Sequence, residues 1–279
     1  MKKSLLFIAS VLMTINLYAY SDSDMDGVDD TVDSCPNSLL TDLVDISGCT
    51  KKSLVSPHSY DIIIGVNYSN SDYRSLNATD TLASSLQVDY YYKQFSLQAS
   101  TSFFKTEGSG YSDSGLYDSF LGASYRLNPI NNLSISLSAG ALLPTYDTEL
   151  KNNNTDYTAS VNLSYTLDNF NIFGGYSYSL INDYDMLVTL ENGNSYSVIY
   201  QNTNAFSGGL GYYLSSNLYV SASYSMSDSI YVGVDDIETA TVYGYYSINK
   251  DIFTTLSYSY GLSDAASDDY ISLRLGFLF

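Results

Sequence analysis

The sequence predicts an all-β protein, an antiparallel up-and-down β-barrel of twelve strands that crosses a membrane and is preceded by a small acidic segment. Three observations predict it. From residue 59 onward the chain repeats one unit, an alternating apolar/polar run of roughly 10 to 13 residues followed by a turn. The connections between these runs alternate between short and long. The chain ends on Ile271, Leu273, Leu275, Phe277 and Phe279, apolar at strict period two, with Ser272, Arg274 and Gly276 on the other face.

Composition agrees: 30 Tyr, 11 Phe, 18 Gly, 4 Pro and no Trp favour strands. The only long apolar run is at the start, and no stretch after residue 19 approaches the ~20 apolar residues of a membrane helix, so embedding requires a closed barrel.

Residues 1–19 read as a secretory signal, with Lys2 and Lys3 before an apolar run from Leu5 to Leu17 and small-residue cleavage after Ala19. The chain carries a formal net charge of −19, and loss of Lys2 and Lys3 makes the exported form more acidic still. Nucleic acid is thereby excluded as a natural partner. Export also favours a disulfide between Cys35 and Cys49, the two cysteines of the chain, over two unpaired thiols.

Residues 20–58 form the acidic segment. Its carboxylates Asp22, Asp24, Asp26, Asp30 and Asp33 fall at relative positions 1, 3, 5, 9 and 12, with Gly27 at position 6. Ca²⁺ takes six to eight oxygen ligands, and a loop of this spacing supplies them when the carbonyl of Val28 is added at position 7. The alternative is a solvated acidic tail. Position 12 is Asp rather than Glu, and no amphipathic helix flanks the loop.

The loop, the Cys35-Pro36 that follows it and the Val44-Asp45-Ile-Ser-Gly48-Cys49 sequence together resemble a thrombospondin type 3 repeat. They are similar to the short form found in linkers of the outer-membrane protein A family. The resemblance covers residues 22 to 50 and implies a calcium loop stapled by Cys35 and Cys49. The peptidoglycan-binding domain that usually follows is missing, because strands begin near residue 59.

The barrel is expected over 59–279, with strands at 59–70, 80–93, 94–106, 116–127, 133–146, 156–168, 170–181, 203–214, 218–228, 238–248, 252–263 and 269–279. In the sixth, Tyr157, Ala159, Val161, Leu163, Tyr165 and Leu167 oppose Thr158, Ser160, Asn162, Ser164 and Thr166. Residues 187–200 contain a further hairpin around Glu191-Asn-Gly-Asn194, read as an extension of a long loop rather than two more wall strands. A soluble β-sandwich is the competing fold, but it requires neither alternating loop lengths nor Tyr at the strand ends.

The terminal alternation resembles the closing strand of bacterial outer-membrane β-barrels. That resemblance implies that Phe277 and Phe279 are read by the barrel assembly machinery. It also implies an outer-membrane location with the short turns, both chain ends and the acidic segment in the periplasm. Lipid and lipopolysaccharide are then the surrounding partners, and the acidic segment is within reach of the periplasmic cell wall.

The charged residues expected to face the lumen are Asp61, Asp89, Asp118, Arg126 and Arg274, with Arg274 expected to pair with an Asp of the first or second strand. Acidic residues from Asp72 to Asp269 dominate the long loops, against Arg74, Lys105 and Lys151. Such a mouth favours cations or binds divalent ions that bridge to lipopolysaccharide phosphates. The sole histidine, His58, lies in the approach to the first strand, and no serine–base pair nominates an enzyme. The expected function is a small porin-like channel for small polar or cationic solutes, and the alternative is a structural or adhesive barrel with a filled lumen.

Overall fold

The computed structural model describes residues 22, 24, 28–35, 38, 44, 47–49, 57–72, 78–146, 153–189 and 195–279. The signal segment 1–19, Asp26, Gly27, Arg74, Lys151 and the turn 191–194 lie outside the described residues. The chain divides into two units, Met1–Leu54 and Val55–Phe279.

In the second unit the strands are β1 (His58–Ser71), β2 (Thr79–Tyr92), β3 (Phe95–Gly108), β4 (Tyr111–Leu116), β5 (Ser119–Ile130), β6 (Leu133–Leu143), β7 (Asp156–Leu167) and β8 (Phe170–Leu180). They continue with β9 (Met186–Thr189), β10 (Ser195–Val198), β11 (Thr203–Ser215), β12 (Leu218–Ser227), β13 (Ile237–Asn249), β14 (Ile252–Gly261) and β15 (Asp269–Leu278). All pairings are antiparallel, and each wall strand pairs with its neighbours in sequence. The sheet closes where β15 returns to β1, from Asp61↔Leu278 to Asn70↔Asp269. The seam runs to the last residue, where Phe279 N–H donates to the Tyr60 carbonyl at 2.9 Å and Tyr60 N–H to the Phe279 carbonyl at 3.0 Å.

Twelve strands make the wall. β4 and β5 form one crossing interrupted at Tyr117 and Asp118, and Tyr117 N–H still reaches the Ser102 carbonyl at 2.8 Å. β9 and β10 pair only with each other. One expected loop is instead regular structure: β3 and β4 continue as a hairpin past the barrel, pairing from Phe103↔Leu116 to Gly108↔Tyr111. There Lys105, Glu107, Ser112 and Ser114 share one face and Thr106 and Asp113 the other, so the apolar period gives no sign of a strand.

Five connections are two-residue turns, at 93–94, 131–132, 168–169, 216–217 and 250–251. Lys93 (φ 54°) and Asp168 (φ 50°) open two of them in left-handed conformation, as primed hairpin turns require of their first central residue. Longer connections, 72–78, 144–155, 181–202, 228–236 and 262–268, stand at the opposite end. The segments 181–202 and 228–236 are tied together by Gln201 N–H to the Ile230 carbonyl and Val232 N–H to the Ile199 carbonyl, both 2.9 Å.

Polarity is inverted relative to a water-soluble core. Aliphatic and aromatic side chains point outward and are exposed, with Leu210 at 63% and Leu273 at 55%, whereas polar groups on the inner face are covered, with Asn171 at 5% and Asp89 at 6%. Inner-wall amides and hydroxyls satisfy one another: Asn171 donates to Ser164 Oγ at 2.8 Å and to Thr166 Oγ1 at 3.0 Å, and accepts from the Tyr219 hydroxyl at 3.2 Å. Such a surface is stable only where the outside is hydrocarbon and the inside is wet or self-bonded.

Inward-facing rings lie along the wall over glycine. Phe253 stands opposite Gly276 in the β14–β15 register, and a Cβ at Gly276 would come within 2.1 Å of the Phe253 ring. The Phe120 ring lies in the same way over Gly122 and Gly140. Gly276→Ala is therefore expected to force Phe253 off the wall and to destabilise the barrel by roughly 1–3 kcal/mol. Gly244→Ala, where the nearest atom stands at 3.9 Å, is expected to be close to neutral. Urea midpoints of the two variants folded in detergent check this contrast.

Candidate functional site

One arc of the inner wall, built from β1, β2, β3, β13, β14 and β15, lines a cavity of about 580 Å³. Strand alternation sets which residues reach it. Asp61, Ile63 and Asn67 come from β1 between outward Tyr60, Ile62, Ile64 and Val66; Ser85, Gln87, Asp89 and Tyr91 come from β2. Ser272 and Arg274 come from β15, and Tyr243, Tyr245 and Thr255 from β13 and β14.

The cavity therefore brings together four of the five charged residues expected in the lumen: Asp61, Asp89, Asp118 and Arg274. The fifth, Arg126, follows the outward Tyr125 on β5 and so has the inner-face parity; it is exposed and is not among the residues lining this cavity, although its charge acts on Tyr91, which is.

Arg274 does not form the expected direct ion pair with an aspartate. It stands opposite Gly65, which in turn stands opposite Ser85. A Cβ at Gly65 would lie 2.6 Å from Ser85 Oγ and 3.0 Å from Arg274 Cγ, so the missing side chain lets the arginine cross β1. Its Nη2 donates to Gln87 Oε1, and Gln87 Nε2 donates to Asp89 Oδ2 at 2.7 Å. The Tyr91 hydroxyl donates to Asp61 Oδ2 at 3.1 Å. Sequence reasoning missed Gln87, Tyr91 and Gly65. The signal available was parity, since Gln87 and Tyr91 share the face of Asp89.

Asp118 has a different role from the other charges. It sits in the break between β4 and β5, where its Oδ1 accepts from Tyr146 N–H at 3.0 Å and Asn153 Nδ2 at 2.8 Å. It thus anchors both ends of the 144–155 connection. Phe104, buried to 3% exposure, stacks on Tyr117 at 4.3 Å beside it. A smaller cavity of about 350 Å³ elsewhere on the inner wall has an uncharged lining that includes Thr158, Ser160, Asn162, Ser177, Ser207 and Ser225.

On the outer face at the long-loop end, tyrosines donate to carboxylates of neighbouring strands: Tyr68 to Asp80 at 2.7 Å, Tyr224 to Glu238 at 2.8 Å and Tyr258 to Asp269. Asp228, just beyond β12, accepts from the backbone N–H and the side-chain amide of Asn204, which hold its carboxyl below the ordinary value. Phenols and carboxylates at this height suit the boundary between hydrocarbon and headgroups. At the other end, His58 stacks between Tyr90 and Tyr92 with centroid distances of 5.7 and 4.9 Å.

In the first unit Cys35 and Cys49 are joined in a disulfide. Asp24 Oδ2 accepts from Ser38 N–H at 2.6 Å and Ser38 Oγ at 2.8 Å, and Asp33 Oδ1 from Cys35 N–H at 2.7 Å. The second oxygen of each, Asp24 Oδ1 and Asp33 Oδ2, is buried with no hydrogen-bond partner among the described residues. Asp22, Val28 and Asp30 belong to the same described segment, while Asp26 does not. Among the described residues no three acidic, His or Cys side chains are assembled as a metal-ligand group.

No family model and no curated protein matches this chain. Solved structures do match in fold. A crystal structure of an outer membrane channel from Pseudomonas putida F1 superposes with a TM-score of 0.65 at 11% identity, covering 82% of this chain and 98% of that one. The NanC porin superposes with a TM-score of 0.52 at 12% identity, covering 77% of this chain and 98% of that one. The fold is thus the closed antiparallel barrel of outer-membrane channels and porins.

Proposed function

We propose that this protein is an outer-membrane channel that passes small polar or cationic solutes and has no enzymatic role. The observation that carries the reading is the combination of a closed twelve-strand wall, aliphatic outside, with a polar inner face around a cavity of about 580 Å³. In this reading the two-residue turns face the periplasm and the acidic long connections face outward. Asp80, Asp228, Glu238 and Asp269 then meet the lipopolysaccharide layer through divalent ions. Reconstitution in planar bilayers is expected to give discrete conductance steps with a cation-selective zero-current potential. Replacing Asp235, Asp236 and Asp268 by Asn should lower that selectivity. Well-folded protein that gives no steps would instead favour a structural barrel with a filled lumen.

The Phe277–Phe279 end serves as the recognition signal for the assembly machinery. Phe279→Ser is expected to reduce the amount of heat-modifiable barrel in the outer membrane, and normal amounts of it would refute this role.

The acidic segment is a periplasmic thrombospondin type 3-like calcium repeat within reach of the cell wall. Asp22, Asp24, Asp26, Asp30 and Asp33 with the Val28 carbonyl would hold one Ca²⁺, which supplies positive charge among the carboxylates. Buried anionic oxygens without donors among the described residues, as at Asp24 Oδ1 and Asp33 Oδ2, are costly unless a cation meets them, and this supports the reading. The disulfide closes the chain directly after the loop and contributes about 3 kcal/mol in the chain-entropy account. Calorimetric titration of the full-length protein in detergent is expected to show Ca²⁺ binding, weakened about tenfold or more in Asp24→Asn/Asp33→Asn. Identical titrations of the two proteins would rule this ligand set out.

A further inference from the structure

Asp61 and Asp89 stand directly opposite one another on β1 and β2, both on the inner face. Like charges in that position disfavour strand pairing, and a sheet that keeps them gains from something that meets both. The hydrogen-bond donors to them among the described residues, Tyr91 for Asp61 and Gln87 for Asp89, are neutral. No cation is bonded to either carboxylate among the described residues, and the pair faces a cavity rather than hydrocarbon.

Arg274 lines the same cavity without an ion pair among the described residues. Its guanidinium is held by the Gln87 carbonyl oxygen, while the Gln87 nitrogen is spent on Asp89. Gln87 is thus a neutral spacer with both ends occupied. Its amide stands between the guanidinium and the carboxylate of Asp89, whose Cα lies two residues further along β2, roughly 7 Å from that of Gln87. Guanidinium has five N–H donors, and this contact uses one nitrogen. One wall of the lumen consequently presents a cationic fork and an anionic pair, held apart at the spacing of a few bonds. Tyr243, Tyr245 and Tyr270 add the aromatic lining that ammonium groups favour. The smaller cavity, bounded by β7, β8, β11 and β12, has an uncharged lining.

We infer that this cavity is the selectivity site of the channel and that it favours small zwitterions, with the solute's ammonium at Asp61 and Asp89 and its carboxylate at Arg274. The inference rests on the channel reading and names its substrate class as amino acids and short betaines. It is separate from the cation preference of the acidic mouth, because a zwitterion carries no net charge.

The test uses full-length protein in proteoliposomes and compares swelling in isosmotic glycine and in glycolamide, a neutral isomer of the same composition. Glycine is expected to enter about threefold faster or more. The ratio should fall toward one in Asp61→Asn, in Asp89→Asn and in Arg274→Gln, each first shown to be folded by heat-modifiable gel mobility. Arg274→Lys, which keeps the charge but not the fork, is expected to fall between wild type and Arg274→Gln, and it serves where Arg274→Gln does not fold. Equal entry of the two solutes in wild type, or a glycine preference untouched by the variants, overturns the inference and leaves the channel reading standing. Failure of both solutes to enter, together with absent conductance, removes the channel reading and this inference with it.

Discussion

The structure depends on one constraint, that every backbone N–H and C=O in contact with hydrocarbon must find a partner within the chain. An open sheet leaves two edges unpaired, so the wall has to close, and closure is carried by β15 on β1 from Asp61↔Leu278 to Asn70↔Asp269. The last residue takes part through its reciprocal bonds with Tyr60.

Closure then imposes two environments on one alternating sequence. The outward set is aliphatic in the middle and aromatic at the margins, where Tyr68, Tyr224 and Tyr258 use their hydroxyls on carboxylates. The inward set is small and polar, which leaves room for a lumen. Large inward rings are accommodated by lying on glycine, as Phe253 does on Gly276, so that their bulk fills the wall rather than the bore. Where charge is placed inside, it is confined to one arc and spaced by Gln87, and where it is placed at the mouth it organises a connection, as Asp118 does for 144–155.

The fold was largely legible in the chain. Period-two alternation located all twelve wall strands within a few residues, and alternating loop lengths gave the antiparallel meander. The β3–β4 extension was not legible, because outside the membrane a strand needs no apolar face. The site was legible only in part. Parity placed Asp61, Asp89 and Arg274 inside, but the direct Arg–Asp pair expected from charge alone is replaced by a Gln87 bridge. That bridge depends on Gly65 letting the arginine cross a strand, a matter of register between residues more than 180 positions apart in sequence.

The sequence by itself thus determined the class of barrel, the face each residue occupies and the separation of an acidic segment from the wall, because these follow from local period and spacing. Only the tertiary structure decided which charges share a cavity, what stands between them and how the seam is registered. Alternation specifies the side of the sheet on which a residue lies, but not its height along the barrel or its neighbours across strands.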